Sequence, residues 1–189
     1  VIRAAAIASM LADEYADART ELAHDSPWQL LVATVLSAQC TDVRVNAVTP
    51  ELFARWPGPA ELAAARQAEI EEVIRSTGMF RQKAGSLRQA ARIVVTEHGG
   101  EVPADLDALV ALPGVGRKTA KVVLGEGHGI AAVVTVDTHV RRLARRLGLT
   151  KLEDAEKIAT VGDARNRTVL SIMLPPEMRI EPMRTQSGL

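Results

Sequence analysis

The apolar positions recur at intervals of three and four along most of the chain, the spacing of helix faces, and no ladder of strands is legible. Residues 1–18 are rich in Ala and Leu and read as a first helix. Ser26 followed by Pro27 is an N-cap with proline at the first helical position. It opens a helix carrying Trp28, Leu31, Val32, Val35 and Leu36. Thr41 caps the next helix, which ends within 48–56, and Gly58 with Pro59 restarts the chain for a short one at 61–65. A further helix is expected at 68–76, stopped by Gly78. A longer one follows at 80–97, with Leu87, Ala90, Ala91 and Val94 on one face and Gly99-Gly100 ending it. Leu106, Leu109, Val110 and Leu112 form a short apolar face; after a break at 113–116 a helical run resumes over 117–124. Residues 133–136 are apolar and β-branched, and Asp137 stands where it can cap a helix. The period fades after Glu156: 159–189 holds Pro175, Pro176 and Pro182 and no sustained apolar face, so a poorly packed tail is expected. The whole reads as an all-α bundle of short helices.

Composition alters this picture in one respect. A chain of 189 residues, 47% hydrophobic and 24% charged, suits one globular domain or two small lobes. Its apolar runs fall far short of the roughly 20 residues that span a bilayer, and no signal-peptide core opens it. The single cysteine, Cys40, leaves no internal disulfide and suits a reducing cytoplasm, the expected location. With no initiator Met, the chain is expected to lack its natural start. The net charge of zero argues weakly against nucleic acid until it is divided along the chain. Residues 1–74 carry 5 basic and 11 acidic side chains, 75–150 carry 12 and 6, and the remainder six of each. The basic excess falls on the half that holds the 113–116 break, as a phosphate-binding surface requires.

That break is where chemistry concentrates. Residues 112–123 read LPGVGRKTAKVV: a helix, a tight hairpin of Pro113, Gly114, Val115 and Gly116, and a second helix. Two glycines let the main chain approach a phosphate, and the second helix offers its unpaired N–H groups and positive dipole end. Recognition of this kind is independent of base sequence. Lys118 emerges at the start of that helix, between Arg117 and Thr119. Three readings are open on the hairpin alone: a plain helix–helix turn, a non-catalytic DNA-binding hairpin, and part of a catalytic site. The segment 134–146, VTVDTHVRRLARR, adds weight to the last. Asp137 has an ordinary use as an N-cap, stabilising by about 1 kcal/mol, and a sharper one as a carboxylate placed near Lys118. His139 follows in the first turn, and Arg141, Arg142, Arg145 and Arg146 extend the basic run.

LPGVGRKTA, with VDTHVRRLARR nineteen residues beyond its lysine, resembles the endonuclease III-like helix-hairpin-helix DNA glycosylases. SPWQLLVATVLSAQCTDVRVN at 26–46, STGMFRQKA at 76–84 and HGGEVPADLDALVALPGVG at 98–116 agree, so the likeness runs from Ser26 to about Glu156. It implies a two-lobed helical fold. One lobe, 22–130, would carry the helix-hairpin-helix at 105–125; the other would combine 1–21 with 131–189. It further implies a monomer acting on damaged double-stranded DNA, with no membrane role. The expected reaction is removal of oxidised pyrimidines and nicking of the abasic strand through a lysine Schiff base. Lys118 would be the nucleophile, with Asp137 stabilising the sugar cation and assisting proton transfers. A monofunctional adenine-mismatch relative lacks the lysine, so Lys118 favours the lyase version. Gln39 would fill the hole left by an extruded base, Met79 and Phe80 would intrude at the opposite strand, and the hairpin, Arg117, Thr119, His139 and Arg145 would contact DNA.

Two departures from the family pattern qualify the expectation. Val110 stands where an acidic residue often borders the pocket, which opens the question of substrate preference. The family's usual [4Fe–4S] cluster needs four cysteines, and none follows Cys40, so no cofactor and no metal is expected. His24, His98, His128 and His139 show no metal-ligand spacing among themselves or with Cys40. The second class of function kept beside the enzyme is a catalytically impaired or non-catalytic DNA-binding module.

Overall fold

The computed structural model describes residues 20–130, 138–146 and 148 with the isolated positions 10 and 13, and for 138–140 the backbone alone. Apart from those two positions, the helix expected at 1–18 lies outside the described residues, as do the run 133–136, Asp137 and the tail 159–189. The chain forms two units, Thr20–His128 and a second made of Val1–Arg19 with Gly129–Leu189.

In the first unit α1 spans Pro27–Ser37. The Ser26 hydroxyl accepts from the Gln29 amide at 3.2 Å, and the Gln29 side chain accepts in return from the Asp25 amide at 2.9 Å, a shifted form of the reciprocal cap. The sequence suggests one apolar face, but Leu30, Leu31, Val32 and Ala33 are buried in succession. A helix buried on every side is a central one. It packs against α2 (Asp42–Arg55), α5 (Phe80–Glu97), α7 (Arg117–Val122) and the π-helical turn Val123–Gly127. Truncating Leu36, which is wholly buried, would therefore destabilise the lobe by about 2–5 kcal/mol.

The outer helices are held by local chemistry. Thr41 caps α2 through the Arg44 amide, and the helix runs on through Pro50 at the loss of one backbone bond. The Asn46 side chain donates to the Glu21 carbonyl at 2.7 Å and accepts from the Ala23 amide at 3.0 Å, which fastens the incoming strap to α2. Two short helices follow, α3 (Pro59–Ala64) and α4 (Gln67–Ile74), both packed on α5. A 3₁₀ turn, Arg75–Thr77, occupies the end of the helix expected at 68–76. α5 has the expected bounds, burying Ala84, Leu87, Ala90, Ala91 and Val94, and its last turn closes with Gly100 N donating to Val94 O at 2.9 Å. α6 (Leu106–Ala111) is capped by Asp105, whose carboxylate accepts from Ala108 N at 2.8 Å. The run expected over 117–124 is α-helical only to Val122, where the π-helical turn takes over. In the second unit α8 spans Thr138–Arg146. Among the described residues there is no strand.

Candidate nucleic-acid interface

The hairpin between α6 and α7 is built by packing on one side and left open on the other. Leu109 and Leu112 are buried and Val115 is 6% exposed, so these apolar side chains pack into the lobe while Gly114 and Gly116 are exposed. Val115 N donates to Leu112 O at 3.1 Å, closing the turn. Gly114 has φ +81, a conformation that disfavours any side chain, and a Cβ there would lie 2.9 Å from the Ser86 Cβ on α5. Gly116 differs: its φ is −85°, it is the N-cap of α7, and a Cβ there would meet nothing within 4 Å. The lobe itself thus requires glycine at 114 and leaves space at 116. Pro113 is half-buried, Arg117 and Lys118 are exposed at the first two positions of α7, and Thr119 is half-buried.

A second pair of turns projects side chains rather than backbone. Gln39, two residues past the end of α1, is exposed with φ 54°. Met79 precedes α5 with φ 44° and ψ 31° and is 46% exposed. They are the two non-glycine residues with positive φ among the described residues, and such strain gathers at functional sites. Phe80, at the first position of α5, is half-buried, with the guanidinium groups of Arg81 and Arg75 at 5.4 and 5.9 Å from its ring.

Between those turns lies a residue that the sequence reading passed over. Lys83, 5% exposed, sends its ammonium inward, donating to the Leu36 carbonyl at 2.8 Å and to the Thr77 carbonyl at 2.7 Å. Burial pushes its pKa below the ordinary lysine value, against a smaller opposing influence from Cys40. The available signal was its register: Lys83 stands four residues before Leu87, on the buried face of α5.

Of the remaining expected residues, His139 falls in the first turn of α8 and Arg145, exposed, in its last. Asp137 lies outside the described residues. Cys40 is an unbridged, half-buried thiol. Among the described residues no three His, Cys, Asp or Glu side chains group around a metal position. A [4Fe–4S] cluster takes four thiolates and these 189 residues contain one, so the residues present do not fit it. No described helix is long and apolar enough to cross a membrane.

Residues 32–162 match the HhH-GPD superfamily base excision DNA repair protein family. The chain is 54% identical over 156 residues to endonuclease III of Synechocystis sp., covering 82% of this chain and 71% of that protein. It is 43% identical over 145 residues to endonuclease III of Bacillus subtilis, covering 77% and 66%. The chain therefore spans about two thirds of the length of these relatives. The solved structure of a trapped endonuclease III–DNA covalent intermediate, an estranged-adenine complex, superposes with a TM-score of 0.76 at 36% identity, covering 92% of this chain and 81% of that one.

Proposed function

Because the chain belongs to the HhH-GPD superfamily of base excision DNA repair proteins, we propose that it is a bifunctional DNA glycosylase and abasic-site lyase acting on damaged double-stranded DNA. The observation that carries this reading is the hairpin: Gly114 is pressed onto Ser86, while Gly116 faces open space two residues before the exposed Lys118. Such an arrangement lets a backbone phosphate approach the main chain at 116 and brings the sugar within range of an amine. Arg117, Thr119, Arg145 and His139 add contacts to the backbone of the duplex, and Gln39, Met79 and Phe80 enter the stack around an extruded nucleotide.

The chemistry follows from a lysine nucleophile. The neutral Lys118 amine attacks C1′ of the damaged nucleoside; the N-glycosidic bond breaks and the base departs with a proton. Opening of the sugar gives a Schiff base, which acidifies the C2′ hydrogens. Loss of one of them and cleavage of the 3′ C–O bond nick the strand, and water then releases Lys118. Asp137 stabilises the developing sugar cation and relays protons. Oxidised pyrimidines are the substrate class favoured by the likeness to endonuclease III.

Borohydride trapping on abasic duplex tests this directly, because reduction fixes the Schiff base. The wild-type chain should trap; Lys118→Gln should abolish trapping while leaving duplex affinity within about threefold, since one cation adds little to a many-phosphate interface. Asp137→Asn removes the charge at nearly constant size and should lower turnover by about 10²-fold or more. Trapping by Lys118→Gln would move the nucleophile elsewhere. Binding without trapping by the wild type would leave a DNA-binding module.

A further inference from the structure

Gln39 and Met79 stand on different turns, 40 positions apart in the chain, and share one anchor. Leu36, three residues before Gln39, belongs to the last turn of α1, where helix carbonyls lack a partner within the helix. Thr77, two residues before Met79, closes the 3₁₀ turn, with its hydroxyl donating to Ile74 O at 2.8 Å. The Lys83 ammonium takes the carbonyl of each. Lys83 in turn rides on α5, whose following residues Ala84, Leu87, Ala90 and Ala91 are buried in the lobe, and its own amide donates to Met79 O at 3.0 Å. A single ammonium therefore joins the backbone just ahead of Gln39 to the backbone just ahead of Met79. Both side chains so held are exposed, and both occupy left-handed backbone that a side-chain-bearing residue keeps only when its surroundings impose it.

We propose that Lys83 is a positioning residue for strand separation: by joining the Leu36 and Thr77 carbonyls it holds Gln39 and Met79 in one frame, ready to enter the duplex when a nucleotide leaves the stack. The proposal rests on the reading of Gln39 and Met79 as the intruding residues. A hydrophobic side chain at 83 would leave both carbonyls without their donor, and the two turns would lose their common reference while the hairpin kept its backbone surface. Lys83 thus acts on recognition of the damaged site and not on general attraction to phosphate.

The experiment uses a duplex with an uncleavable abasic analogue flanked by 2-aminopurine, whose fluorescence rises when its stacking is broken, and an undamaged duplex as reference. The wild-type chain should raise the signal and prefer the abasic duplex. Lys83→Met should lose at least two thirds of the fluorescence response and about tenfold of the abasic preference, with affinity for undamaged duplex within twofold. In a Gln39→Ala/Met79→Ala background, Lys83→Met should change the preference by less than twofold, because the side chains it positions are gone. Should Lys83→Met fail to fold, Lys83→Leu, which also removes the donor, and failing that Leu36→Ala/Lys83→Met, which shrinks the core beside it, are read by the same criteria. A folded Lys83 variant that retains response and preference overturns the proposal alone, as does an equal loss in the double-alanine background. A wild-type chain that gives no response overturns the intrusion reading and the proposal with it.

Discussion

The hairpin at 113–116 and the pair of turns at Gln39 and Met79 handle left-handed backbone in opposite ways. In the hairpin the positive φ falls on Gly114, where the absence of a Cβ also allows contact with Ser86. In the turns it falls on residues with long side chains, each at a conformational penalty of roughly 1–2 kcal/mol. The difference teaches what each region presents. A surface that meets phosphate with its main chain has no use for side chains at the apex and can use glycine. In the proposed function the turns enter a base stack, which needs the side chain itself; they carry the strain, and Lys83 ties together the Leu36 and Thr77 carbonyls that precede them.

Substitutions that exchange the two solutions test the contrast. The largest effect is expected at Gly114→Ala, which adds a Cβ 2.9 Å from that of Ser86 at φ +81; denaturant unfolding should show a loss of about 2–4 kcal/mol, partly recovered by Ser86→Gly. Gly116→Val should come next. Its stability should change by less than about 1 kcal/mol, since the space is open, yet affinity for damaged and undamaged duplex should fall alike by about tenfold, or about 1.4 kcal/mol. Unchanged affinity in a binding titration would remove the hairpin from the interface. Met79→Gly relieves the left-handed penalty at the expense of chain entropy, so stability should stay level or rise by about 0.5 kcal/mol while preference for abasic duplex drops.

The smallest effect concerns pH. Lys83 has a lowered pKa in the folded chain, so between that value and the unfolded lysine value of about 10.4 the unfolded state binds more protons. Stability from this group therefore rises with pH across that window and is lost as pH falls through the folded value. The difference in unfolding free energy between wild type and Lys83→Met, followed from pH 8 to 11, should grow in favour of the wild type. A flat difference would mean that the buried amine keeps its ordinary affinity for protons.

These contrasts also mark what could be read in advance. Ser26-Pro27, Thr41 and the face of α5 announce themselves because capping and helical periodicity are local properties, and both glycines of the hairpin stand in plain view. Their division of labour does not, since it depends on Ser86, 28 residues before Gly114 in the chain. Nor does the left-handed backbone at Gln39 and Met79, because neither position carries the glycine that usually signals it. Lys83 was hidden by its type: a lysine on a helix reads as solvated, and only the two carbonyls it meets, one of them 47 residues earlier, make its burial sensible. The halt of α7 at Val122 was equally invisible, as Val123 and Leu124 suit an α-helix as well as a π-helical turn. Asp105, directly before the apolar face that starts at Leu106, is a cap of the same local kind.

The π-helical turn has a topological consequence of its own. It ends with Gly127 against the first residue of α1: a Cβ on Gly127 would lie 3.4 Å from Pro27 Cα and 3.5 Å from Leu30 Cδ2. Those two ends are 100 positions apart, so this contact seals a polypeptide loop whose closure alone opposes folding by about 4 kcal/mol. Once sealed, position 127 lies beside position 27. The span 27–127 thus ends beside its own start, and a circular permutation that joins those two points with a short linker should be tolerated, because the proximity such a linker must supply is already made.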